Sequence, residues 1–269
     1  MLTMCLALVP MLFGADIADD HPSYDTDARD ARLAPLPTGP VQIDDGRALG
    51  DLLMTIDLAA IGIPGSYSGA GLTWDGTYLY YENQTDHMIY VIDPTVPSVV
   101  TSWSAGLPHA WGVGSEANIW VDDALGSPGM TYEYSWGGTP TGNSFSAMSG
   151  GASWMGDISE WYTPGEIAIL AVGGTNEIYF FTVPGGTPLG SIGDPAWAYI
   201  SQRALTYDPY NHTFWLGGWN VGTIWEVDAN TGAVLRQFTP ADASIAGLAY
   251  DWQSTLHPTP VLWLATNSP

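Results

Sequence analysis

Residues 71–94, GLTWDGTYLYYENQTDHMIYVIDP, alternate apolar and polar positions over short runs joined by polar loops and closing on Asp-Pro. A period of two marks half-buried β-strands rather than helices. The strand TYLYYEN (77–83) has counterparts in ANIWVDD (117–123), EIAILAVGG (166–174), HTFWLGGWN (212–220) and PVLWLAT (260–266). Aligned on Leu79, Ile119, Leu170, Trp215 and Trp263, these runs recur every 40 to 50 residues or so. The following strand, MIYVIDP, recurs as MTYEYSW, EIYFFTV and TIWEVDA with Tyr90, Tyr132, Tyr179 and Trp225 in register, and the preceding one, LTWD, recurs as LTYD and LAYD. Asp75-Gly76 makes the tight turn between the first and second strands, and Asp208 to Asn211 is a longer version of it.

A period in the forties with four short strands per unit predicts an all-β fold, a β-propeller of four-stranded antiparallel blades. One such sheet cannot bury both its faces; blades packed radially can, with large aromatics filling the wedges between them. The expected count is five blades over residues 41–269. The chain stops just after a second strand at 260–266, while 39–58 resembles the third and fourth strands at 223–238. The N-terminal pair would then complete the blade that the C-terminal pair begins, bringing 260–266 beside 41–45. The competing reading is an open arc from a longer propeller, with bare sheet edges at its ends.

The N-terminal run MLTMCLALVPMLFGA, residues 1–15, has the length of a signal-peptide core and is too short to span a bilayer as a helix. It reads as an export signal, with a buried N-terminal strand or helix as the other reading. Residues 16–40 are acidic, rich in Pro and poor in aliphatics, as a linker would be. The expected location is therefore secreted or at the cell surface, without membrane insertion once the signal is removed.

Composition narrows the partners. Against 28 acidic residues stand five arginines and no lysine, a formal charge of −23. Such a surface repels phosphate backbones and anionic lipid, which excludes nucleic acid as a partner. One cysteine, Cys5, allows no internal disulfide. No clustered Cys/His motif, H-E-x-x-H, G-x-S-x-G or Walker A sequence appears, so no metal or cofactor is expected. The D-x-N-x-G of Asp228–Gly232 reads as a turn, because Thr239 stands where a calcium loop needs a bidentate Glu. Asp122 and Asp123 would face opposite sides of a strand, which makes them a poor acid and base pair.

Candidate chemistry gathers at the channel mouth ringed by the blade-to-blade loops. His109, Trp154, Asp157 and Arg203 fall on that ring, with Trp219 and Asn220 further out. Arg203 occupies a position where other blades carry Ala70, Ala110 and Ala246. It reads either as a clamp for a carboxylate or anionic sugar, or as a structural partner of an acid such as Asp157. Trp154 and Trp219 could stack on a flat ligand or fill blade interfaces.

The segments WMGDIS (154–159), SQRALTYDP (201–209), FWLGGWN (214–220) and GLAYD (247–251) resemble secreted bacterial β-propeller repeat proteins of the YVTN and NHL type, over residues 45–269. That resemblance implies an extracellular, non-catalytic, monomeric module that binds or displays a glycan, a peptide or a surface protein. Residues 71–94 also resemble glutaminyl cyclases in GL, D-G-x-Y-L-Y and I-x-V-I-D, a pattern generic to blades. The alternative function is a propeller hydrolase or lyase acting on a small or sugar-derived substrate, with His109, Asp157, Glu160 and Arg203 as its catalytic set.

Overall fold

A computed structural model describes residues 3–8, 48–65, 71–124, 129–147, 154–160, 163–172, 176–198, 202–219, 222–241, 244–252, 256–257 and 259–266. These residues form strands, turns and bends, with no helix among them. The first two strands, β1 (Thr3–Leu8) and β2 (Leu52–Asp57), belong to the last sheet in the chain. The first complete sheet is β3 (Leu72–Trp74), β4 (Leu79–Asn83), β5 (Met88–Asp93) and β6 (Ser98–Ser104). The second is β7 (Ala110–Ser115), β8 (Ile119–Asp123), β9 (Met130–Tyr134) and β10 (Pro140–Ser146). The third is β11 (Trp154–Glu160), β12 (Glu166–Val172), β13 (Glu177–Thr182) and β14 (Pro188–Ile192). The fourth is β15 (Gln202–Asp208), β16 (Thr213–Gly218), β17 (Ile224–Asp228) and β18 (Val234–Phe238). In the last sheet, β19 (Ile245–Asp251) and β20 (Val261–Thr266) are followed by β1 and then β2.

The arrangement is a β-propeller. Each innermost strand packs against the next, from β3 through β7, β11 and β15 to β19, and β19 returns to β3. Between every pair of neighbouring sheets lies one apolar cluster, which explains why the second strands read as continuous hydrophobic runs and are buried on both faces. The cluster between the last and first sheets unites Ile56, Ala249, Val261 and Trp263 with Leu72, Trp74, Leu79 and Tyr81. No gap separates the ends of this arc.

The turns follow their sequence signals. The Asp75 carboxylate accepts from Thr77 N and Tyr78 N, and Asp208 accepts from Tyr210 N and Asn211 N. Asp228 caps the β17–β18 turn by accepting from Asn230 N and Thr231 N, with Gly232 at φ +76°. Glycine at such a φ avoids the Cβ clash of the left-handed region. At the matching turn before β2, Gly50 packs against Phe238 of β18, where a Cβ would lie 2.6 Å from the ring.

Two expectations shift. The third-strand aromatics hold their register, since Tyr90, Tyr132, Tyr179 and Trp225 pair with Tyr81, Val121, Ile169 and Leu216. Counted from those pairs, the second-strand equivalents of Leu79 and Ile119 are Ile167, Phe214 and Leu262 rather than Leu170, Trp215 and Trp263. The offset is odd, and an odd slip exchanges the two faces of a strand. In the last sheet, 39–58 supplies the outer strand β2 as expected, but the strand between β20 and β2 is Thr3–Leu8, paired from Thr3↔Thr266 to Leu8↔Val261. This is the N-terminal strand reading of the apolar run. Residues 41–45 and the linker 16–40 lie outside the described residues.

Candidate functional site

The innermost strands begin at one mouth of the channel, and the second strands end there. Four of these innermost strands carry an irregularity close to that mouth: between Ala110 and Val113 in β7, Met155 and Ile158 in β11, Gln202 and Ala204 in β15, and Ile245 and Gly247 in β19. Bulges of this kind bend a strand and re-aim side chains. Asp157 sits in the β11 irregularity, fully buried, and its Oδ1 accepts from Val113 N at 3.0 Å and Ile158 N at 3.1 Å. The third blade is thereby stapled to the second.

Two further buried carboxyls stand beside it. Glu82 in β4 and Asp122 in β8 occupy equivalent positions, pairing with Ile89 and Thr131, and both are fully buried. The other blades carry Leu170, Gly217 and Ala265 there, residues with no charge to bury. Asp122 Oδ1 accepts from Gly112 N at 2.7 Å. Glycine is needed at 112 because a Cβ would meet the Gly156 carbonyl oxygen and lie 2.7 Å from Asp122 Oδ2. Neither oxygen of Glu82, nor Asp122 Oδ2, nor Asp157 Oδ2, has a hydrogen-bond partner among the described residues.

Electrostatics follow from that geometry. Burial pushes the Glu82 carboxyl well above its ordinary value of 4.5, and the nearby Asp122, Asp86 and Asp157 push it the same way. Burial likewise raises Asp122 and Asp157 well above 3.8, although the backbone N–H groups of Gly112 and Val113 work against it. Like charges this close, out of water, cannot all ionise, so the cluster holds protons where exposed carboxylates have lost theirs. Further out, the Tyr90 hydroxyl donates to Asp86 Oδ2 at 2.5 Å. Burial, and then Asp86, push that phenol up to about 12.

His109 lies at the start of β7 with nearly half its side chain exposed, and its Nδ1 is 3.3 Å from Asp123 Oδ1. The mouth is therefore layered: a wet histidine–carboxylate pair outside and three dry carboxyls within. Asp122 and Asp123 do face different surroundings, as strand alternation requires. The partners of Asp122 belong to neighbouring strands rather than to Asp123.

The predicted site residues divide accordingly. His109 and Asp157 are at this mouth, and Trp219 is half-buried in the turn after β16. Trp154 starts β11 and Arg203 lies in the β15 irregularity, so their backbones are at the mouth as expected. Glu160 closes β11 at the opposite end of the strand from Trp154, its backbone paired with Ile167. Asn220 lies outside the described residues. Asn83 closes β4 and holds the turn that follows, giving an Nδ2 proton to Pro64 O and accepting from Thr85 N. Sequence reasoning missed Glu82, and weighed Asp122 only as a partner for Asp123. The signal was a carboxyl at a position that other copies of the repeat leave apolar, small or uncharged.

Among the described residues no group of three or more His, Cys, Asp or Glu side chains is arranged to hold a metal ion. No protein-family model matches the chain, and no curated protein matches it. Among solved structures it is similar to the glutaminyl cyclase of Myxococcus xanthus, with a TM-score of 0.55 at 14% identity over 76% of this chain and 94% of that one. At that identity the likeness is one of fold.

Proposed function

We propose that this chain is a propeller enzyme working by general acid–base catalysis at Glu82, on a small substrate that enters from the mouth bearing His109. The observation that carries this reading is Glu82 itself: a wholly buried carboxyl with no hydrogen-bond partner among the described residues, set beside Asp122 and Asp157. A purely binding or display module has no need of such a group, which costs stability whenever it ionises. An acid–base catalyst does need it, since a carboxyl raised toward the working pH can both give and take a proton. The similarity in fold to a glutaminyl cyclase supports the enzyme reading over the binding module.

In this reading protonated Glu82 gives its proton to the leaving group and recovers one from the attacking group, so that it ends the cycle protonated as it began. Asp157 and Asp122, each fixed by backbone N–H donors, hold the shape of the site and keep Glu82 protonated until substrate arrives. The Asp123 carboxylate, 3.3 Å from His109 Nδ1, orients that imidazole at the entrance. The net charge of −23 favours a neutral or cationic substrate over an anionic one.

Cyclisation of a glutaminyl peptide, followed as ammonia release, is the first reaction to assay. Glu82→Gln keeps the side-chain volume and should reduce turnover by about 10²–10⁴-fold, the usual contribution of a positioned acid–base group. Turnover by wild type that Glu82→Gln leaves unchanged would remove Glu82 from the mechanism. Binding of a glycan or peptide with no turnover of any substrate would restore the non-catalytic module.

A further inference from the structure

We propose that the far half of the axial channel is a water site that closes the channel to solutes. A cavity of about 10 Å³ lies on the axis, bounded by the hydroxyl residues Thr73, Ser115, Ser159 and Thr206 and by the aromatics Tyr250 and Trp252. The volume matches roughly one water-sized probe. The hydroxyls come one each from β3, β7, β11 and β15, four successive innermost strands, and the aromatics close the side of β19.

The hydroxyls leave protons to place. Thr73 Oγ1 and Ser115 Oγ are 3.1 Å apart, so one donates to the other and the second keeps a proton to give. Thr206 Oγ1 accepts from Tyr250 N at 3.0 Å, which sends its own proton elsewhere. Ser159 brings a further donor and acceptor to the same wall. All four residues are at most 9% exposed, so these groups have little contact with bulk solvent. A buried water makes about three hydrogen bonds, and one on the axis can reach this many hydroxyls at once. No carboxylate lines the cavity, which argues against a cation in the same place. Leu72, Ile158 and Leu205 limit its size, so a substrate at the carboxyl cluster must enter and leave by the same mouth.

Crystals of the full chain grown in LiCl and in RbCl test this directly. The expected result is a single water peak within hydrogen-bonding distance of at least three of the four hydroxyls, identical in the two salts, with no rubidium anomalous signal. Rubidium in the cavity, or no density there, would overturn the proposal. Thr206→Val preserves shape and removes one partner, so the water peak should weaken or move; an undiminished peak would show that the hydroxyls do not hold it.

Discussion

Replacing Glu82 by Gln should flatten the dependence of stability on pH. Burial and three neighbouring aspartates raise the Glu82 carboxyl in the native state, so the folded protein binds a proton that the unfolded chain releases near 4.5. Stability is then fullest below that value and falls as pH climbs toward the raised native one. Each group of this kind contributes a slope of about −1.4 kcal/mol per pH unit across its window. Asp122 and Asp157 are raised in the same direction, so the three together approach about −4 kcal/mol per pH unit where their windows overlap. Glutamine fills the same space without ionising and removes one of the three contributions. Urea melts of both proteins in half-unit steps upward from pH 4.5 would measure this. The difference between the two slopes should be about 1.4 kcal/mol per pH unit. The difference, rather than either slope alone, is diagnostic, because the net charge of −23 destabilises both proteins alike as pH rises. Parallel curves would refute the reasoning, since Glu82 would then titrate alike in both states.

Two other substitutions probe the surroundings. Gly112→Ala forces a Cβ against the Gly156 carbonyl and Asp122 Oδ2, and should cost about 1–3 kcal/mol in urea melts while disturbing activity; a stable, fully active variant would mean that the mouth is looser than described. Arg236→Met leaves the buried Glu226, now paired with Arg236 and bonded by Thr213 Oγ1 at 3.0 Å, without its counter-ion, and removes the guanidinium that lies 5.3 Å from the Trp215 ring centroid. The expected loss is about 3–5 kcal/mol, and a change under about 1 kcal/mol would show that Glu226 is satisfied without the arginine.

The fold was legible because its signals are local and repeated. Alternation marked the strands, the aromatics at Tyr90, Tyr132, Tyr179 and Trp225 held a common register, and Asp75, Asp208 and Asp228 fixed turns through their own carboxylates. Second strands were harder to align because both of their faces are buried, and a run such as EIAILAV offers no polar face to set its phase. Glu82 and Asp122 were passed over for another reason: a carboxyl on a strand reads as a solvated position until the packing of the neighbouring blades shows it to be buried. Asp157 was legible from its place at the mouth, but not its role as acceptor for the N–H of another blade, which depends on contacts far apart in sequence. The pairing of Thr3–Leu8 with β20 was also beyond local pattern, because an apolar run serves equally well as a leader or a strand.

The central claim is that Glu82 is held protonated in a dry site and exchanges that proton at a working pH. A pH titration of the protein labelled with ¹³C at the glutamate side-chain carboxyl carbon, run beside Glu82→Gln, tests it most directly. The account predicts one resonance that titrates well above the ordinary glutamate range and is missing from the variant. If every glutamate titrates near 4.5, or if the displaced resonance survives in Glu82→Gln, the claim is contradicted.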